Sequence, residues 1–155
     1  MKQDFIDFLL CFDKYNVDFL IVGAQAMSTF GYTRASGNLD IFTRVSEDNS
    51  KRVFYGLQEF GAPLLAHKVT PELFQETGSN YQIGIPPSRI DILTKIDGLD
   101  YDEAAASRVI NSLGGLKLPA LSLDALIKNK IASGREKDLL DVQELRILSQ
   151  FQKKE

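Results

Sequence analysis

The chain is poor in the side chains that most often announce a chemistry. In 155 residues it has one cysteine, Cys11, and one histidine, His67. A single cysteine forms no internal disulfide, which excludes a disulfide-held scaffold and suits a reducing compartment. Cys11 borders the apolar face of a helical pattern and reads as a small buried hydrophobe rather than a nucleophile. His67 falls in a stretch without periodicity and has no partner at ligand spacing, so it carries no functional expectation. No run approaches the ~20 apolar residues of a membrane span. The N-terminus opens Lys2-Gln3-Asp4 and keeps acidic residues through its apolar run, unlike a signal peptide. A cytoplasmic protein is expected, with no membrane partner. Neither charge dominates: 18 Lys and Arg against 21 Asp and Glu give a net charge of −3. That excludes a global drive toward nucleic acid or anionic lipid and leaves room for a local basic patch. No repeat, low-complexity tract or linker divides the sequence, so residues 1–155 are read as one domain.

What is present is ordinary globular material, 44% hydrophobic and 25% charged. Phe5, Phe8, Leu9 and Phe12 recur at helical spacing and predict a helix over 3–15, ended by Asn16; its aromatic residues are core packing, not a platform for bases. Phe19 to Val22 is a short apolar run of strand formers and predicts a central strand. It stops at Gly23, and residues 24–30 predict two turns of helix closed by Gly31. A strand that runs through a glycine into a helix leaves main-chain N–H groups free at the helix start, which favours an anion there. A polar turn, Tyr32 to Gly37, follows. Asn38 to Thr43 then alternates as a strand with Asn38 and Asp40 on one face. Ser46 caps a helix to Phe60, whose buried side is Val53, Leu57 and Phe60. Residues 63–80 are loop with a turn of helix at Pro71–Gln75. Residues 81–85 and 89–94 form a hairpin around Pro86-Pro87-Ser88, with Arg89, Asp91 and Leu93 on one face of the second arm. Residues 101–107 are helical, and two short strands flank Gly114-Gly115, the second ending at Pro119. Ser122 opens a helical pair over about 122–152. Its first stripe is Leu123, Leu126, Ile127 and Ile131, its second Leu139, Val142, Leu145 and Leu148, with a break at Gly134. The fold class is therefore α/β: a small mixed sheet flanked by helices, with a C-terminal helical extension.

Asp40 and Asp91 each sit mid-strand between apolar neighbours. A carboxylate in that setting is costly unless it faces solvent or has a partner. On adjacent strands the two would converge on one point, where like charges favour a cation between them. Carboxylates beside a phosphate cradle are the usual way to hold Mg²⁺, with water and substrate phosphates completing its shell.

At these residues the sequence resembles the nucleotidyltransferase superfold typified by DNA polymerase β. The resemblance is carried by Val22-Gly23-Ala24, by Asn38-Leu39-Asp40-Ile41 and by Ile90-Asp91-Ile92. Gly31-Tyr32-Thr33-Arg34-Ala35-Ser36 is similar to the Gly-x-x-Arg-x-Thr/Ser segment of small bacterial members, including those of abortive-infection and toxin–antitoxin systems. Residues 126–141, with Lys130, Gly134-Arg135 and Lys137-Asp138, are similar to the tail of the same proteins. The likeness spans residues ~17–145 in matching order. It implies a nucleotidyltransferase-like fold and transfer of a nucleotidyl group from an NTP to a hydroxyl or phosphate acceptor. The acceptor is a small molecule, a protein or an RNA end, and a toxin-like protein is an implied partner.

The same likeness implies the site. Asp40 and Asp91 would be catalytic. Asn38, Asp40 and Asp91 would ligate Mg²⁺ or Mn²⁺. Gly23, Ala24, Arg34, Ser36, Lys130, Arg135 and Lys137 would contact nucleotide phosphates. Ala24 stands where the family has Gly or Ser, and Asn38 stands in place of the first acidic residue. An amide oxygen still ligates a hard cation but brings no charge. At an effective dielectric near 20, unit charges ~4 Å apart interact by about 4 kcal/mol. Asn38 therefore implies a one-ion site, or a catalytically degenerate descendant that binds a nucleotide or serves as an antitoxin-type module. Simpler readings stand beside these: Asp40 and Asp91 as edge-strand carboxylates paired with Arg34 or Arg89, and Asp138 and Asp141 as partners of Lys137 or Arg135.

Overall fold

The computed structural model describes residues 1–31 and 37–153, with side chains to residue 151. Its centre is β1 (Phe19–Val22), and all four residues of the strand are buried. A strand buried on both faces needs helices on both sides, and two groups supply them. In the first, α1 (Gln3–Lys14) packs on α3 (Glu47–Phe60), which in turn meets a 3-10 turn at Pro71–Gln75. Phe5, Phe8, Leu9 and Phe12 of α1 are all fully buried, as their spacing predicts. Gly56 of α3 makes that approach possible, because a Cβ there would lie 2.8 Å from Phe12 Cδ1. In the second group, α2 (Gly23–Ser28) packs against α5 (Leu123–Ser133), which packs against α6 (Glu136–Lys153).

The remaining strands are β2 (Leu39–Thr43), β3 (Asn80–Ile83), β4 (Ile90–Leu93), β5 (Val109–Leu113) and β6 (Leu116–Ala120). A short helix, α4 (Tyr101–Ala106), precedes β5. The six strands form one mixed sheet in the order β3-β4-β2-β1-β6-β5. β1 is antiparallel to β2 and parallel to β6, while β2 is parallel to β4. The fold is thus α/β with a mixed sheet. Among the described residues, no helix is long and apolar enough to cross a membrane.

The local signals act where the sequence places them. Ser46 and Ser122 accept hydrogen bonds from the main chain of Asn49 and Ala125, and Gly61 and Gly134 close their helices in the left-handed region. Three expectations need correction. The helix after Gly23 ends at Ser28 with Thr29 as its cap, so Gly31 belongs to the following turn. β6 continues through Pro119 to Ala120, because β1 meets β6 only at Ala120. Pro119 itself pairs with Ile110 of β5, and just beyond it the Leu121 N–H bonds Ile21 of β1. Finally, Ile131 and Leu139 do not join the core; they are 46% and 48% exposed. The inward face of α6 at its start is formed by Asp138 and Asp141, followed by Val142 and Leu145. Leu139 lies about 100° round the helix from Asp138 and is turned outward.

Candidate functional site

β2 lies between β1 and β4, and its register decides the site. Asp40 is opposite Val22 of β1 on one side and Asp91 of β4 on the other. Residues directly opposite in adjacent strands project from the same face, so the two carboxylates meet. Neither strand is an edge strand. Asp40 is half-buried and Asp91 is 5% exposed. Burial, together with the hydrogen bond and the negative charge of Asp91, pushes the Asp40 carboxyl up to about 7, against the pull of Arg89 and Lys130. Asp91 Oδ2 accepts from Arg89 Nε at 3.1 Å, as the simpler reading of Asp91 expects. Its Oδ1 is buried without a hydrogen-bond donor among the described residues. Such an atom takes either the proton of its neighbour or a cation.

Gly23 is required beside this pair. Its φ is +67°, and a Cβ would stand 2.5 Å from Asp40 Oδ2. The chain therefore turns from β1 into α2 at a residue whose lack of a side chain admits the Asp40 carboxylate. Asn38 is also close, but its amide oxygen accepts from the main-chain N–H of Arg89 at 3.3 Å. Arg34 and Ser36, expected at phosphates, lie outside the described residues.

A cavity of about 460 Å³ opens from Asp40. Gly23 and Ala24 line one side, Leu93 and Lys95 another, and Lys130, Arg135, Lys137 and Asp138 of the C-terminal helices a third. Sites separated by about 100 residues in sequence are so brought to one opening, and the helical pair is part of the site's wall. Lys130 is not a free cation in it. Its side chain is 11% exposed, and its ammonium lies 3.1 Å from Asp138 Oδ1 and 3.3 Å from Asp141 Oδ2. Ser133 Oγ and Arg135 Nε also donate to Asp138 Oδ2, at 2.6 and 2.7 Å. Burial alone would raise the Asp138 carboxyl, but the donors Ser133, Arg135 and Lys130 outweigh it and hold it at about 2. The expected pairing of Asp138 with Arg135 is present, and Lys130 is its further, buried partner. Lys137 is exposed at the cavity wall with no salt bridge among the described residues.

No protein-family model, characterised protein or solved structure matches the chain. The site must be read from its own geometry. Several polar residues of the cavity carried no site expectation in the sequence, among them Lys95 and Asn129. Lys95 was within reach of a sequence reading, because residues 91, 93 and 95 alternate onto one side of an extended chain. Asn129 was not, since one helix residue among charged neighbours has no local signal. Among the described residues, no group of three or more His, Cys, Asp or Glu side chains could hold a metal ion. The donor set is therefore two carboxylates with one unsatisfied oxygen. That fits an ion that keeps waters and shares substrate phosphates, rather than one held in an all-protein cage.

His67 has a structural partner. Its Nδ1 is 2.8 Å from the Tyr81 hydroxyl, tying the loop before Pro71 to β3.

Proposed function

We propose that the chain is a metal-dependent nucleotidyltransferase of the DNA polymerase β type, moving a nucleotidyl group from an NTP to a hydroxyl or phosphate acceptor. The observation that carries this reading is the register that sets Asp40 directly opposite the buried Asp91 on parallel strands, with Asp40 lining a cavity that Lys95, Lys130, Arg135 and Lys137 also line. Asp40 and Asp91 are the residues that would hold Mg²⁺ or Mn²⁺. When bound, such an ion neutralises phosphate charge and polarises the oxygens that react. Of the two carboxylates, one would serve as metal ligand and the other as base for the incoming hydroxyl. Gly23 and Ala24 offer main-chain N–H groups to phosphate oxygens. Lys95 and Lys137 bring positive charge to the same opening, beside Asp97 and the Arg135–Asp138 ion pair, and these two lysines would meet the phosphates. Lys130 acts mainly through the buried ion pairs that join α5 to α6. The acceptor class stays open among a small molecule, a protein and an RNA end.

A second reading has its own observation. The Asn38 amide oxygen is engaged by the Arg89 main chain, and Arg89 already compensates Asp91. Both favour a degenerate nucleotidyltransferase-like module, such as an antitoxin-type partner of a small toxin. Calorimetric titration with each Mg²⁺- or Mn²⁺-NTP separates the two. The enzyme reading expects binding by the wild type that EDTA abolishes. Silence from the wild type with binding by Asn38→Asp would favour the module.

A further inference from the structure

We propose that Arg89 is the built-in counterion of the carboxylate pair, and that a divalent ion enters the site by displacing its guanidinium from Asp91. The inference rests on the reading of Asp40 and Asp91 as a cation site. A carboxylate as buried as Asp91, 5% exposed, needs compensation. Arg89 supplies it at one oxygen, Oδ2, while Oδ1 has no donor among the described residues. The compensation is therefore incomplete, and it comes from a group that has an exit. The Arg89 side chain is 30% exposed and that of Asp91 is 7% exposed, so the guanidinium is able to swing to solvent and the carboxylate is not.

The backbone of Arg89 is pinned on both sides. Its carbonyl accepts from Leu39 N–H at 2.9 Å, and its N–H donates to Asn38 Oδ1. Motion is thus confined to the side chain. The residue that stands in place of the family's first carboxylate fixes the residue that replaces its charge. A guanidinium at Asp91 Oδ2 and a divalent ion at the same carboxylate repel each other and compete for one ligand. Removing the guanidinium should strengthen ion binding, the reverse of its effect on the ion-free protein.

The test is calorimetric titration of Mn²⁺ into metal-free wild type, Arg89→Gln, Arg89→Lys and Asp91→Asn, with melting temperatures recorded with and without Mn²⁺. Arg89→Gln is expected to bind Mn²⁺ about tenfold more tightly than wild type, and Arg89→Lys, which keeps the charge, to stay near it. Without Mn²⁺, Arg89→Gln should melt below wild type; with Mn²⁺ it should gain more. If Arg89→Gln does not fold, Arg89→Met repeats the test while keeping the aliphatic stem. Binding by wild type that is lost in Asp91→Asn but unchanged in Arg89→Gln overturns the role of Arg89 and leaves the cation site standing. Absence of binding in every protein overturns the cation site, and the inference with it.

Discussion

At the scale of single residues, the site depends on a glycine and a carboxyl that cannot both be ordinary. Gly23 is in the left-handed region and has no room for a Cβ beside Asp40. Gly23→Ala adds a strained φ and a clash; it is expected to cost about 1–3 kcal/mol in denaturant melts and to shift the Asp40 carboxylate. Asp40 gives a pH signature. In an unfolded chain it titrates at its ordinary 3.8, and in the fold near about 7. Between these values the folded protein binds more protons, so its stability falls as pH rises through the window and then levels off. Metal-free Asp40→Asn should therefore melt above wild type at pH ~8 and match it at pH ~4. Asp138 has the opposite sign. Its carboxyl is held down at about 2, so its contribution is present above 3.8 and is lost as pH falls toward 2. Melting curves of Asp138→Asn should differ most from wild type at neutral pH and converge with it in acid. The importance of Gly23, Asp40 and Asp91 was legible because each breaks a local pattern: a glycine after an apolar strand, or a charge between apolar neighbours. The fate of Lys130 was not legible, because a lysine one helical turn before a Gly-Arg pair looks exposed. Its burial follows only from the return of α6.

At the scale of elements, periodicity was enough wherever an element buries one apolar face. The α1 stripe, the Ser46 cap and Phe60 end of α3 and the turn at Pro71–Gln75 all follow from spacing and capping chemistry. It failed where the buried face is polar. α6 turns Asp138 and Asp141 inward, so a rule that counts leucines assigns Leu139 to the wrong side. Asn49 is the same kind of case on α3. It is 2% exposed. Its Oδ1 accepts from Asp18 N–H at 2.7 Å, and its Nδ2 donates to the carbonyls of Asp18 and Arg44 at 3.0 and 2.9 Å. These bonds hold the start of β1 and the end of β2 to one helix and so help set the register that places Asp40 opposite Val22. Asn49→Ala leaves main-chain groups unpaired and is expected to cost about 2–3 kcal/mol, measured by urea denaturation.

At the scale of the whole molecule, the sheet order does what the sequence only implies. β2 sits between β1 and β4, so a glycine from one connection and carboxylates from two strands share one face. The α5–α6 pair then brings Lys130, Arg135 and Lys137 to the same cavity. The mixed α/β class and most element positions were readable from hydrophobic patterning. Strand adjacency was not, because pairing is a long-range choice that no local period encodes. The convergence of Asp40 and Asp91 is thus the fold's own contribution to the account. It is tested most directly by titrating NTP into wild type and Asp40→Asn, with Mn²⁺ and with EDTA. The account predicts NTP binding by the wild type that requires the ion and is lost in Asp40→Asn. NTP binding that persists in EDTA, or that survives Asp40→Asn undiminished, would contradict it.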